Sequence, residues 1–476
     1  MELYNSKLLL IIRSFNRKEM TKFGEFIRSP YFNKNKPVIR LYSELNIRFP
    51  HFNKRNFTVE NIFSRIFPAE KYNYHKISNV ISDLYKLAEQ YLAQKRIESE
   101  DLYIERKILK ELRSRELYKI YEQKHSSYLK KILNSVIKDE EHFFRLYELT
   151  DEYLWYATIK KPNAELNIVQ TEFDHFINYI LIRLLRFYNL MIHEKNQNNV
   201  KYDLKLFDEI LNYVKNNDSK IPVLEIFKTI LLLLNTKERK YYDILWKLKE
   251  KYSEQLRFDD NYLVYVHLYD FAAYMVNFKG EDSYNRDMFR IYKEMIDKRY
   301  MTPENFLYPN LMNVVKIACR VNEFEYAEKI IQAFEPYFPP DEKNNIIAFC
   351  MGTIEYSKGN LKEAMKQFSL TNFQNFIFKV QVKILLLKIY FKLNMMEEAL
   401  LLIDAFRHFL SREQNLLKEH RDSYTIFLNV MAELIKTKNT GNKKDSNLKL
   451  HKMKMIAEKM PANPFRIRVW LLEELN

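Results

Sequence analysis

The chain has 476 residues, 47% of them apolar, and its 77 Lys and Arg against 62 Asp and Glu give a net charge of +15. A soluble chain of this length is expected to form roughly two to four domains with cores of their own. Its 5 Gly, where average usage of about 7% would give about 33, exclude most phosphate-binding loops and tight β-hairpins and predict an all-α protein.

The first predicted domain is a basic helical head over residues 1–100, which carries a net charge of +8. Asn16 is placed to cap an amphipathic helix, and Pro30 ends that helix because proline forces the preceding residue out of the α conformation. The turn that follows contains Tyr31 and Phe32. We expect at least one of these rings to be mostly buried against the head. The alternative is an exposed aromatic turn that binds a phosphate or a nucleobase.

Further helices follow along the chain. Thr58 and Asn73 have the side chains and positions of helix caps within the head. Residues 101–200 are predicted to form a helical connecting region. It begins with one long charged helix over 101–135, and the polar run 196–199 is expected to be a connection between helices.

Residues 201–476 are predicted to form helix hairpins, with the clearest repeat signal over 308–411 and a basic loop and closing helix at the C-terminal end. In the segment AFCMGTIEYSKGNLKEAMKQF, the small residue Gly352 allows two helices to approach. Gly359 lies in the turn, and Ala364 packs the second helix against the first. The spacing therefore indicates one hairpin per repeat.

Related segments lie 37 residues earlier, around Ala327, and 35 residues later, around Ala399. This order of aromatic, turn and alanine positions resembles the tetratricopeptide repeat, which implies an α-solenoid after the helical head. The wider sequence resembles an uncharacterised family of bacterial helical-repeat proteins, in FIRSPYFNKN at 26–35, VISDLYKLAEQYL at 80–92, EFEYAEKIIQAFEPYFPPDEKNN at 323–345 and RVWLLEEL at 468–475.

The tetratricopeptide resemblance implies a concave groove lined by the first helix of each hairpin. The candidate partner-binding residues at these positions are Lys316, Arg320, Thr353, Tyr356, Lys388, Phe391 and Lys392. Lys316 with Arg320, and Lys388 with Lys392, place like charges four residues apart, which destabilises a helix by a few tenths of a kcal/mol unless an anion lies nearby. We therefore expect an acidic protein segment in the groove. The alternative is a solvated face whose cations pair with neighbouring glutamates.

Residue types that could support catalysis or metal binding do not occur at recognised spacings. The five Gly are too scattered for a nucleotide-binding loop, and the ten His never flank a Glu at i and i+4. The sequence thus predicts no catalytic residues, no cofactor and no metal site. Asp259 and Asp260 are expected to stabilise the start of a helix. Cys319 and Cys350 are expected to be packed in the core of a cytoplasmic protein.

These observations predict a non-enzymatic helical-repeat scaffold that mediates protein–protein interaction in the cytoplasm. The alternative is binding of RNA or another nucleic acid, either through the basic head or through residues 291–331, which resemble a single pentatricopeptide unit. The longest apolar stretch, residues 176–192, is interrupted by Arg and Asn. No membrane span is therefore expected.

Overall fold

The computed structural model describes residues 3–52, 58–99, 101–160, 167–198, 200–413, 416, 418–439, 443–461 and 463–475. Within these ranges the regular elements are helices and no strand occurs, which confirms the all-α class. The chain divides into two compact units. Unit 1 comprises Met1–Ser135 and His142–Phe176, and unit 2 comprises Val136–Glu141 and Ile177–Asn476.

Unit 1 contains the predicted head and part of the predicted connecting region. Its helices are α1 (Lys7–Ser14), α2 (Arg17–Arg28), α3 (Lys36–Arg48), α4 (Val59–Ile66), α5 (Tyr74–Ser99), α6 (Asp101–Ser114), α7 (Tyr118–Leu133), most of α8 (Glu140–Lys160) and the start of α9 (Ile168–Asn198). Helices α1 to α5 share one apolar core, in which Phe23 lies against Tyr42 and Tyr91. The head therefore has a core of its own.

The predicted helix starts in the head are confirmed. The side chain of Asn16 accepts a hydrogen bond from the backbone N–H of Glu19, and the Glu19 carboxylate accepts one from the backbone N–H of Asn16. This reciprocal arrangement satisfies two backbone donors that the first helical turn leaves free. Thr58 and Asn73 each accept a hydrogen bond from the backbone N–H three residues further on.

The turn after Pro30 differs from the prediction. Tyr31 is 89% exposed and Phe32 is 40% exposed, so the expectation that one of them is mostly buried is wrong. The buried residue of this turn is Asn33, whose amide donates to the carbonyl of Ile27 at 3.0 Å. A polar side chain can thus anchor the turn, because it satisfies a backbone acceptor at the end of α2.

Residues 101–135 also differ from the prediction, because they form two helices instead of one. Glu116 has a left-handed backbone, with a φ of 61°, and the backbone N–H of Leu117 bonds back to the carbonyl of Leu112. This geometry ends α6 and lets α7 begin in a new direction. In contrast, α9 continues through Asn198, so 196–198 are helical where a connection was expected, and Asn199 lies outside the described residues.

Unit 2 contains the predicted hairpin region. Its helices after α9 are α10 (Phe207–Asn216), α11 (Pro222–Thr236), α12 (Arg239–Tyr252), α13 (Phe258–Tyr274), α14 (Tyr284–Asp297), α15 (Tyr308–Arg320), α16 (Phe324–Phe334), α17 (Lys343–Ser357), α18 (Leu361–Ser369), α19 (Phe376–Lys392), α20 (Met396–Arg412), α21 (Lys418–Asn439), α22 (Lys443–Glu458) and α23 (Ile467–Glu474). Successive helices pack in pairs, among them α15 with α16, α17 with α18 and α19 with α20.

The interiors of these three pairs contain the residues that the repeat pattern singled out. Ala327, Ala364 and Ala399 are fully buried. A methyl group added at Gly352 would lie 2.9 Å from the ring of Phe368, which is closer than packed carbon atoms approach. Gly352 is therefore required because α17 and α18 are in close contact at this point.

None of the helices in the described ranges is long and apolar enough to cross a membrane.

Candidate functional site

The predicted groove residues lie on the first helices of three successive pairs: Lys316 and Arg320 on α15, Thr353 and Tyr356 on α17, and Lys388, Phe391 and Lys392 on α19. Their exposure varies widely. Thr353, Lys388 and Phe391 are buried, Lys316 and Tyr356 are partly buried, and Arg320 and Lys392 are exposed. We call the four cations Lys316, Arg320, Lys388 and Lys392 the basic cluster.

The C-terminal helix α23, here called the tail helix, lies against α19 at the basic cluster. Its Trp470 is buried, and the indole is edge-on to Phe391 with 5.9 Å between the ring centroids. Lys388 Nζ lies 5.4 Å from the centroid of the same indole. Lys392 Nζ lies 3.8 Å from Glu474 Oε1. The acidic end of the tail helix is thus next to the lysines of α19.

Lys388 is in an unusual environment for a lysine, since only 6% of it is exposed. Burial lowers its pKa to about 7, and the positive charges of Arg466 and Arg320 act in the same direction. The carboxylate of Glu473 opposes this shift. At neutral pH the charge on Lys388 therefore depends on the acidic residues that the tail helix brings to it.

Among the other lining residues, Arg320 donates to Asn285 Oδ1 on α14 at 3.4 Å, and Lys316 and Thr353 have partners on α19 and α17. Lys316 Nζ donates to Gln381 Oε1 at 3.5 Å, and burial lowers the pKa of Lys316 to about 7. The hydroxyl of Thr353 donates to the carbonyl of Phe349 at 2.8 Å. Burial raises the pKa of Tyr356 to about 12, and the charges of the two glutamates of the tail helix add to that increase.

The segment before the tail helix is fixed to the loop between α13 and α14. The amide of Asn463 donates to the carbonyl of Asn277 at 2.9 Å, and Arg466 forms an ion pair with Asp282 at 2.7 Å. Phe465 and Arg466 both have positive φ, of 51° and 56°. This left-handed bend costs conformational energy, which these contacts offset, and it directs the chain into the tail helix.

A second candidate site, the histidine–aspartate cluster, consists of His193 on α9 and His267 and Asp270 on α13. One potential ligand atom from each of the three residues lies within 4.8 Å of the other two. His193 Nδ1 is 3.0 Å from Asp270 Oδ2. The imidazole rings of His193 and His267 are edge-on, with 5.4 Å between their centroids.

Burial differs between the two histidines of this cluster. The hydrogen bond to Asp270 raises the pKa of His193, whereas burial lowers the pKa of His267 to about 4. His267 is only 4% exposed, and its Nδ1 atom is buried without a hydrogen-bond partner. The cluster borders a cavity of about 890 Å³, which is also lined by Tyr274, Glu419 and His420.

The structure also shows where the aspartate pair 259–260 and the two cysteines lie. Asp259 and Asp260 lie in the first turn of α13, as expected, although neither is the N-cap residue. Asp260 is fully buried and pairs with Arg186 on α9 at 2.7 Å, so it also joins two helices. Cys319 and Cys350 are buried, as predicted, and burial raises the pKa values of their thiols to about 11 and about 12. A thiol with such a pKa is a poor nucleophile at neutral pH.

Neither the tail helix on the basic cluster nor the histidine–aspartate cluster could be predicted in full from the sequence. His267 and Asp270 are spaced i and i+3, not i and i+4 like the histidines of recognised zinc motifs, and this spacing places them on the same side of α13. His193 lies 74 residues before His267 in the chain, and only the packing of α9 against α13 brings it close. The sequence predicted the tail helix as a closing helix, but it did not predict that this helix lies against the basic cluster.

Comparisons of the chain with protein-family models, curated proteins and solved structures found no match.

Proposed function

We propose that unit 2 is a helical-repeat protein-binding module whose helix pairs form an α-solenoid, and that the basic cluster lines its groove. The ligand that suits this groove is an acidic amphipathic helix with an aromatic anchor. In the absence of a partner, the chain's own tail helix occupies the groove, and a partner helix binds by displacing it.

The repeated helix pairs support the solenoid. The first helices α15 and α17 contact each other, and α16 and α18 each contact the helix that follows them. Three alanines, spaced 37 and 35 residues apart, are fully buried in successive pairs. Stacked hairpins of this kind present an extended surface that suits a peptide or a helix.

The observation that carries the proposal is the position of the tail helix. Trp470 fills a buried space beside Phe391, while Glu473 and Glu474 lie near Lys388 and Lys392. A buried aromatic anchor surrounded by complementary charges is the usual composition of a helix-in-groove interface. The same chemistry would recognise an acidic helix of another protein.

Competition between the tail helix and a peptide tests this proposal. A labelled peptide with the sequence of residues 466–475 is titrated into the full-length chain and into a Glu473→Lys, Glu474→Lys variant, and binding is followed by fluorescence anisotropy. Exposed ion pairs contribute about 0.2–1 kcal/mol each. Loss of both contacts amounts to about 0.4–2 kcal/mol, so we expect the peptide to bind the variant about two- to thirtyfold more tightly.

Two further variants establish where the peptide binds. In the charge-reversed background, Lys392→Glu should weaken peptide binding, because it removes a cation that lies beside the glutamates. The matched control is Lys362→Glu, which reverses an exposed lysine on α18 and should leave the affinity unchanged. Equal affinity in the native chain and the charge-reversed variant, with no effect of Lys392→Glu, would contradict the proposal.

A further inference from the structure

We propose that the histidine–aspartate cluster of His193, His267 and Asp270 is a binding site for a divalent transition-metal ion, with Zn²⁺ as the expected occupant. This site is separate from the groove proposed above and does not depend on it. Two imidazoles and one carboxylate form a ligand set that suits zinc.

The distances within the cluster are close to those of a zinc site. Zinc binds imidazole nitrogen at about 2.0–2.1 Å, so the centroids of two coordinating rings in tetrahedral geometry lie about 5.2 Å apart. The centroids of His193 and His267 are 5.4 Å apart. All three potential ligand atoms already lie within 4.8 Å of one another. Ligand atoms of a tetrahedral zinc ion are about 3.3 Å apart, so the widest separation in the cluster has to close by at most about 1.5 Å when an ion binds.

The burial of His267 is the second observation in favour of a ligand. Its Nδ1 atom has no hydrogen-bond partner although the residue is 4% exposed. Leaving a buried polar atom unpaired costs about 1–3 kcal/mol. A metal ion bound at Nδ1 would give this atom a partner and so remove the cost.

The contact between His193 and Asp270 is compatible with metal binding. Their nitrogen and oxygen atoms are 3.0 Å apart, close to the separation of about 3.3 Å between two ligands of a tetrahedral zinc ion. An ion bound at His193 Nδ1 would displace the proton carried by this nitrogen, and that proton would be released to solvent.

The adjacent cavity defines what else the ion could contact. Three protein ligands leave the fourth position of a tetrahedral ion for water or for another small ligand. The cavity has a volume of about 890 Å³ and is lined by Lys418, Glu419 and His420 on α21. The site thus has the open coordination of zinc centres that bind exchangeable ligands, not the closed set of a structural zinc site.

Metal titration of the full-length chain tests the proposal. The protein is stripped with a chelator, and Zn²⁺ alone is added while binding is measured by isothermal titration calorimetry. We expect one equivalent to bind with a dissociation constant in the micromolar range or below. Co²⁺ in place of Zn²⁺ should give the strong visible absorption of a four-coordinate nitrogen and oxygen site.

His193→Gln and Asp270→Asn each remove one ligand from a partly exposed position, and each should weaken zinc binding at least tenfold and abolish the cobalt absorption. Asp270→Asn keeps the size of the side chain, so at least one variant is expected to remain folded, as circular dichroism can verify. His408→Gln, at an exposed position on α20, is the matched control and should bind zinc like the native chain. Absence of zinc binding, or equal binding in the native chain and both ligand variants, would overturn the proposal.

Discussion

The interiors of the helix pairs and the surroundings of Lys388 in the basic cluster are two regions of unit 2 that are buried for different reasons. In the pairs, Ala327, Ala364 and Ala399 are fully buried between helices that are neighbours in the chain. In the basic cluster, Lys388 is buried partly because Trp470, 82 residues later in the sequence, lies over it. One region is enclosed by local packing and the other by a distant segment.

This difference has energetic consequences. An apolar interior contributes through packing, which is nearly independent of pH and salt. A buried lysine contributes an unfavourable desolvation energy that depends on its protonation and on nearby carboxylates. The four predictions that follow probe this contrast and are ordered from the largest expected effect to the smallest.

Phe368→Ala should lower the free energy of unfolding of unit 2 by about 3–5 kcal/mol, because it removes a fully buried aromatic ring and leaves a cavity. Chemical denaturation, monitored by circular dichroism, measures this change. Lys366→Ala, an exposed position on the same helix, is the control and should change stability by less than about 0.5 kcal/mol. A loss below about 1 kcal/mol for Phe368→Ala would show that the pair interior is loosely packed.

Ala364→Leu should destabilise unit 2 by about 1–3 kcal/mol, because three additional carbon atoms have to fit between α17 and α18. Ala364 has no exposed surface, and the close approach of Gly352 to Phe368 indicates that little space is free nearby. Ala405→Leu places the same side chain at an exposed position of α20 and is the matched control. Equal melting temperatures for the two variants would contradict the packing described here.

The same contrast, between packing against neighbouring helices and packing against a distant segment, explains which features could be predicted from the sequence. The helical class, the caps at Asn16 and Thr58, and the burial of Ala364 depend on neighbours within about 40 residues, and they were predicted correctly. A periodic pattern contains this kind of information because both packing partners lie in the same local segment. The break at Glu116 was missed because a left-handed residue other than Gly leaves little trace in the sequence.

The candidate sites were less predictable because they depend on contacts between distant segments. The sequence indicated that Lys316, Lys388 and Lys392 lie on the first helices of helix pairs, yet it did not indicate that the tail helix lies against α19. The histidine–aspartate cluster needs α9 beside α13, which no repeat pattern specifies. The residues of the basic cluster were thus identified from the sequence, whereas the burial of Lys388 became evident only in the structure.

Lys388→Met should change how the stability of unit 2 depends on pH. The pKa of Lys388 is about 7 in the folded chain, against 10.5 for an ordinary lysine, so the unfolded chain binds more protons between these values. Stability therefore rises with pH in this interval, and the cost of the buried charge is fully present below about pH 7. Methionine removes that cost.

The substitution Lys388→Met should therefore raise the free energy of unfolding more at pH 6 than at pH 9. The two increases should differ by at least about 1.4 kcal/mol, the equivalent of one pKa unit. The groups that face Lys388 are Arg320, Lys392, Arg466 and Glu473, and all are retained in this variant. Leu401→Met, at an exposed position on α20, changes no charged group, so it is the control and should leave the pH dependence of stability unchanged. Parallel stability curves for the native chain and Lys388→Met would contradict the burial of this lysine.

Removing the contact between Lys392 and Glu474 should change stability least among the four predictions. The two side chains are 42% and 25% exposed, and their charged atoms are 3.8 Å apart. Exposed pairs of this kind contribute about 0.2–1 kcal/mol, and salt screens them. A double-mutant cycle with Lys392→Ala and Glu474→Ala should therefore give a coupling energy in this range that decreases as salt is added.

Because the pair joins the tail helix to α19, hydrogen exchange of α23 is the more sensitive measurement, and each single variant should accelerate it. A coupling energy of zero with unchanged exchange would mean that Glu474 contributes nothing, and that the buried apolar side chains of the tail helix, together with Asn463 and Arg466, hold it in place.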